Sequence, residues 1–169
     1  MIFTVERGEH YSDRFLYKAL NSLVLSRSIQ YLVKFDSSCK YQLSKRDQQD
    51  VNKLFGYSIG FDHHKNSARF GWHWHWGKIH ASAYLYRDGE RIVLPMAKLE
   101  LDSWYRFSIE AQEESDCFLI ADEESTIAIA NVERRAKFRF GFHLWPYFGG
   151  NNPAPHEVQL EMKRLPLDV

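Results

Sequence analysis

The segment Ser67 to Arg87, SARFGWHWHWGKIHASAYLYR, constrains the fold more than any other part of the chain. Aromatic and small apolar residues alternate with polar ones on both sides of a glycine, the period-two pattern of two β-strands joined by a tight turn. Folding it on Gly77-Lys78 sets Trp76 opposite Ile79, Trp74 opposite Ala81, Trp72 opposite Ala83 and Phe70 opposite Leu85, which makes one face wholly apolar. The other face then carries Arg69 opposite Tyr86, Gly71 opposite Tyr84, His73 opposite Ser82 and His75 opposite His80. A slip of one residue would mix tryptophan with tyrosine and histidine on both faces, so the apolar partition itself supports this pairing. Gly71 opposite Tyr84 leaves space beside a ring, where a sugar could stack or where the aromatic simply covers a glycine.

The same alternation recurs elsewhere. Ile29, Tyr31, Val33 and Phe35 predict a strand, as do Asn52 to Gly56, Tyr105 to Glu110, Cys117 to Ala121, Thr126 to Ala130 and a final stretch with Val158, Leu160 and Met162 inward. From Phe138 to Trp145 the even positions, Phe140 and Phe142 among them, are apolar, and Arg139, Gly141, His143 and Trp145 take the other side. Asp88-Gly89 marks a second tight turn, and Ser44 to Asp50 and Gly60 to Asn66 read as loops. Paired apolar residues between Ser12 and Leu25 come close to helical period, which places a short helix in the N-terminal segment, residues 1–28. Many short strands between turn signals argue for one all-β domain over residues 1–169, an antiparallel sandwich or jelly roll with Phe70, Trp72, Trp74, Trp76, Ile79, Leu85, Phe140 and Phe142 in its core.

With 22 basic and 22 acidic residues, the chain has no bulk attraction for nucleic acid or an anionic membrane, so a charged ligand has to be met locally. No stretch is long and apolar enough to span a bilayer, and the first fifteen residues lack the apolar run of a signal peptide. The expectation is a soluble protein, extracellular or periplasmic if a leader has been removed. Cys39 and Cys117 fall in no CxxC spacing and could form one bridge or stay as thiols. Oligomeric state has no signal in the sequence.

The polar face of the hairpin holds Arg69, His73, His75, His80, Tyr84 and Tyr86, with Arg139, His143 and Trp145 as extensions on a neighbouring strand. Such groups can bind a polar polymer, hold a metal or move protons. His73-x-His75 with His80 across the turn offers three nitrogens to a metal. Cupin-type barrels use a similar pair but follow it with a glutamate, where this chain has Trp76-Gly77-Lys78-Ile79, so neither a metal nor another cofactor is expected. His63-His64 is a weaker lead, since adjacent residues diverge. The acidic residues Glu113, Glu114, Asp116 and 122–124 read as the rims of two turns, and the polar face holds no opposed carboxylates for glycoside hydrolysis.

Asn52-Lys53-Leu54-Phe55-Gly56, Ser67-Ala68-Arg69-Phe70-Gly71-Trp72 and Ala83-Tyr84-Leu85-Tyr86 together resemble the concanavalin A-like jelly-roll polysaccharide lyases that cleave alginate or glucuronan, and related carbohydrate-binding jelly rolls. The resemblance spans the middle of the chain. It implies that a lysine strand, a Ser-x-Arg strand and a Tyr-x-Tyr strand line one concave groove, and it points to Lys53, Ser67, Arg69, Tyr84 and Tyr86. In that chemistry an arginine neutralises the uronate carboxylate, a lysine or histidine takes the C5 proton, and a tyrosine protonates the departing oxygen. The expected partner is therefore an acidic polysaccharide, bound or cleaved. The alternative left open is an interaction module whose aromatic face meets another protein.

Overall fold

The computed structural model describes residues 1–24, 26–137 and 141–166. Its strands are β1 (Ile2–Val5), β2 (Leu23–Val24), β3 (Ser28–Phe35), β4 (Asn52–Ser58), β5 (Asn66–His75), β6 (Lys78–Arg87), β7 (Glu90–Leu99), β8 (Trp104–Ala111), β9 (Ser115–Ala121), β10 (Thr126–Glu133), β11 (Gly141–Leu144) and β12 (Val158–Arg164). They form two antiparallel six-stranded sheets, ordered β1-β12-β3-β8-β9-β10 and β2-β11-β4-β5-β6-β7. The chain crosses repeatedly between the sheets, the all-β sandwich topology expected of a jelly roll. Helix α1 (Phe15–Leu20) falls inside the predicted helical segment. It turns Tyr17 onto Phe3 and Trp145 while leaving Leu16 and Leu20 exposed. Among the described residues no helix is long and apolar enough to cross a membrane.

Alternate residues of the two inner faces meet in an aromatic core. Phe70 of β5 stands edge-on to Phe107 and Phe118, with ring centroids 4.9 and 5.2 Å away, and Trp72 packs against Phe35 at 5.4 Å. Edge-to-face contacts of this kind add to the area each ring removes from water. Phe70, Trp72, Ile79 and Leu85 are buried as expected, Trp74 is half-buried and Trp76 is 83% exposed. Phe140 and Arg139 lie outside the described residues.

The exposure of Trp76 follows from a register that differs from the sequence expectation by two residues. The turn is Trp76-Gly77, with φ of 47° and 75°, and it pairs Trp74 with Ile79, Trp72 with Ala81, Arg69 with Tyr84, Ser67 with Tyr86 and His73 with His80. A two-residue shift preserves every face, so alternation alone could not distinguish the registers. The turn decides: glycine sits second of the two central residues, as it does in Asp88-Gly89, where φ is 51° and 86°. Gly71 consequently faces Ser82, and a Cβ there would lie 2.3 Å from the Val51 side chain, so the space expected beside it is filled.

β11 also differs from expectation. His143 pairs with Tyr57 and turns into the sandwich, where its Nε2 meets the Tyr31 hydroxyl at 3.0 Å, whereas Phe142 and Leu144 lie on the outer face opposite Ser58 and Gly56. Burial drives the His143 imidazole down to about 3, so it is a neutral core group. Asp116 is no turn rim either: it is buried, ion-paired with Arg134 at 3.1 Å, and accepts a hydrogen bond from Tyr57. Cys39 and Cys117 are both free thiols.

Candidate functional site

A bulge in β4 sets the site's geometry. Lys53 pairs with Gly71 and Gly56 with Arg69, so three steps on β4 match two on β5, and both Leu54 and Phe55 turn inward. The alternation is thereby reset so that Lys53 and Arg69 share the outer face of the second sheet, a common use of a bulge. Gly56 is required where it stands, because a Cβ there would lie 2.4 Å from the Arg69 backbone and 2.1 Å from the Ala68 carbonyl.

On this face a groove of about 590 Å³ is lined by Lys53, Arg69, Tyr84 and Tyr86 from β4, β5 and β6, and by Arg91 from β7. Tyr11, Lys18, His63, His64 and the segment Trp145–Tyr147 close its sides. Among the described residues no carboxylate lines it, so four cationic side chains converge there without an acid in the lining, in a chain with no net charge.

Arg69 is 7% exposed and its charge meets no carboxylate among the described residues. One Nη donates to the Trp145 carbonyl at 3.1 Å, and Nε has no partner among the described residues. Burial lowers the guanidinium to about 10, which still leaves it charged at neutral pH. A buried cation without a counter-ion is costly, and a positioned anion relieves that cost.

Lys53 stands between two rings, 5.1 Å from the centroid of Tyr84 and 5.5 Å from that of Tyr147, and its Nζ donates to the Gly149 carbonyl at 2.8 Å. Burial, then the charge of Arg69, lowers it to about 8, so a fraction of it is neutral near physiological pH. Backbone bonds in both directions tie Lys53 to Tyr147, and buried Asn52 bridges the Tyr41 hydroxyl and the Gly149 N–H, so this wall of the groove is pinned to β4. Burial and the Tyr86 hydroxyl push Tyr84 up to about 12, which keeps its proton in place.

Lys53, Arg69, Tyr84 and Tyr86 are therefore brought together. Ser67 borders them, but its hydroxyl donates to the His63 carbonyl at 2.7 Å. Trp145 contributes a wall and a carbonyl, while its ring stacks on His143 and Phe3. His143 lies in the core, and His73, His75 and His80 line a separate pocket. His73 and His80 stack at 4.9 Å, yet no three His, Cys, Asp or Glu side chains among the described residues are arranged to hold a metal. His63 and His64 do not diverge: their rings are 4.0 Å apart and both line the groove. Arg91 was legible, because extending the Asp88-Gly89 hairpin pairs it with Tyr86. Tyr11 and Tyr147 come from the N-terminal segment and a loop, which carry no periodic signal, and Lys18 comes from α1, whose helical period places the helix but not the sheet it packs beside.

No family model and no curated protein sequence matches the chain. Solved structures do share its fold. An alginate lyase from Klebsiella pneumoniae superposes with a TM-score of 0.56 at 11% identity, covering 85% of this chain and 59% of that one. A functionally unknown protein from Saccharomyces cerevisiae gives 0.52 at 9% identity, covering 88% and 71%. The chain thus spans about three fifths of the lyase's length, and identity this low establishes a shared jelly-roll sandwich and nothing finer.

Proposed function

We propose that the groove binds an acidic, uronate-containing polysaccharide and that its residues are set for β-elimination across the uronate ring. The observation that carries this proposal is Arg69, a buried guanidinium that, among the described residues, has no acid partner and faces a groove lined by further cations and no carboxylate. A planar carboxylate matches the guanidinium fork by two hydrogen bonds. The fold's occurrence in an enzyme acting on alginate, an acidic polysaccharide, adds support.

Clamping the carboxylate at Arg69 withdraws charge from the ring and makes the C5 proton removable. Neutral Lys53, beside Arg69 on the same face, takes that proton. The electron pair forms the C4=C5 double bond, the C4–O bond breaks, and the departing oxygen receives the Tyr84 hydroxyl proton. Among the described residues the groove lining lacks the two carboxylates that hydrolysis of the same bond would use.

The test is calorimetric titration with oligomers of mannuronate, guluronate and glucuronate beside neutral oligosaccharides, with ultraviolet absorbance followed in parallel for the unsaturated product. Saturable heat with one uronate oligomer, weakened in Arg69→Lys, supports binding, and rising absorbance abolished in Lys53→Ala supports elimination. Heat only with neutral sugars, or uronate binding unaffected by Arg69→Lys, would overturn the assignment.

A further inference from the structure

Farther along the same outer face, a second pocket of about 440 Å³ shares no residue with the groove. It lies over His73, His75, His80 and Ser82, with Trp76 and Met96 on its rim. His73 is four residues from Arg69 on β5, about 13 Å at the rise of an extended strand.

Trp76 is the anomaly here. It occupies a left-handed turn position, φ 47°, that favours Asn, Asp or Gly, and it leaves 83% of its surface exposed. Its ring meets the His75 ring at 4.3 Å between centroids yet stays mostly in solvent, so strain and exposure coincide on one indole at the mouth of a pocket, which argues from an outlier toward function. Elsewhere in the lining, Ser82 is 5% exposed and its Oγ has no partner among the described residues, and His73 Nδ1 and His75 Nε2 are likewise without one.

We propose that this pocket binds an uncharged oligosaccharide, one pyranose seated against the Trp76 indole, with the hydroxyls of that unit and its neighbour completing the hydrogen bonding of His73, His75 and Ser82. The choice of a sugar rests on the glycan assignment of the neighbouring groove, whereas the choice of an uncharged one rests on this pocket alone. A hydroxyl donates and accepts, the complement of a neutral imidazole and a serine. A carboxylate only accepts and would need protonated histidines. Burial and the neighbouring His80 and His75 hold His73 down to about 4, so it is neutral at physiological pH. Among the described residues Lys98 is the only Lys, Arg, Asp or Glu in the lining, and it is exposed.

The test titrates wild type, Trp76→Asn, His73→Ala and Arg69→Lys with cellopentaose, mannopentaose and laminaripentaose at pH 7.5, with the uronate oligomers run beside them. Asparagine suits the turn, so Trp76→Asn remains folded. The expected result is saturable binding of at least one neutral pentaose, weakened at least about tenfold in Trp76→Asn and His73→Ala and unchanged in Arg69→Lys. Absence of binding by all three pentaoses, or binding indifferent to Trp76→Asn and His73→Ala, overturns the site. Uronate binding lost in Trp76→Asn but retained in Arg69→Lys overturns its neutral character. Uronate binding lost in Arg69→Lys with no pentaose bound removes this site and leaves the groove assignment standing.

Discussion

The two ends of one sheet face make the instructive comparison. β5 sends Arg69, Gly71, His73 and His75 outward in succession, yet the Arg69 end is a groove with four cationic side chains and the histidine end a pocket with one, the exposed Lys98. The strand supplies the same geometry to both, so what surrounds each end makes the difference. Around Arg69, the Trp145–Tyr147 segment and α1 exclude water from a cation that meets no carboxylate among the described residues, which primes it for an anion. Around His73, the same desolvation acts on a group able to shed its proton, and the imidazole becomes neutral. Burial of an arginine stores a demand for negative charge, whereas burial of a histidine discharges it.

The largest expected effect separates the ends by chemistry. Tyr84→Phe keeps the ring beneath Lys53 and removes the proton donor, so elimination of a uronate polymer should slow by about 10²–10⁴-fold with little change in affinity. A turnover near wild type would take Tyr84 out of the proton path. Next, Arg69→Lys keeps the charge and loses the fork, so a uronate oligomer should bind more weakly by about 1–3 kcal/mol, while neutral pentaoses bind as before. Equal losses for both ligands would merge the two ends into one site.

The ends should also respond to pH in different windows. Lys53 becomes neutral as pH rises through about 8, so the elimination rate should climb toward that value. The unfolded chain holds more protons than the folded one between about 8 and the ordinary lysine value of 10.5, so Lys53 makes stability rise with pH there. His73 is depressed from 6.5 to about 4, so its contribution is present above 6.5 and is lost as pH falls toward 4. Urea midpoints across pH 4–7 should fall with acidity and flatten in His73→Phe; an unchanged slope would place the acid sensitivity elsewhere, for instance at His143. The smallest effect is Trp76→Asn, which relieves a bulky residue at positive φ and should stabilise the fold by up to about 1 kcal/mol. A lower melting temperature would show that the indole supports the fold after all.

Much of this was legible in the sequence because period-two alternation carries face information directly. Arg69, Tyr84 and Tyr86 share a face whichever of two registers applies, which is why the grouping survived a turn placed one residue late. Exposure near the turn is more fragile, and Trp76 left the core for that reason. In β11, alternation could not say which side faced inward. That was decided by pairing with Tyr57 on β4 and by Tyr31 on the opposite sheet, contacts made at sequence separations no local pattern reports. The bulge at Leu54-Phe55 was likewise invisible, although it is what puts Lys53 beside Arg69. Tyr147 reaches the groove only because Asn52 and Lys53 hold its loop.

The central claim is that Arg69 is the carboxylate clamp, and a crystal structure of the protein with a uronate trisaccharide tests it most directly. The predicted result is a sugar carboxylate with its oxygens about 2.7–2.9 Å from the Arg69 guanidinium and its C5 facing Lys53 Nζ. A trisaccharide whose carboxylates contact only exposed lysines, with Arg69 still bonded solely to the Trp145 carbonyl, would contradict it.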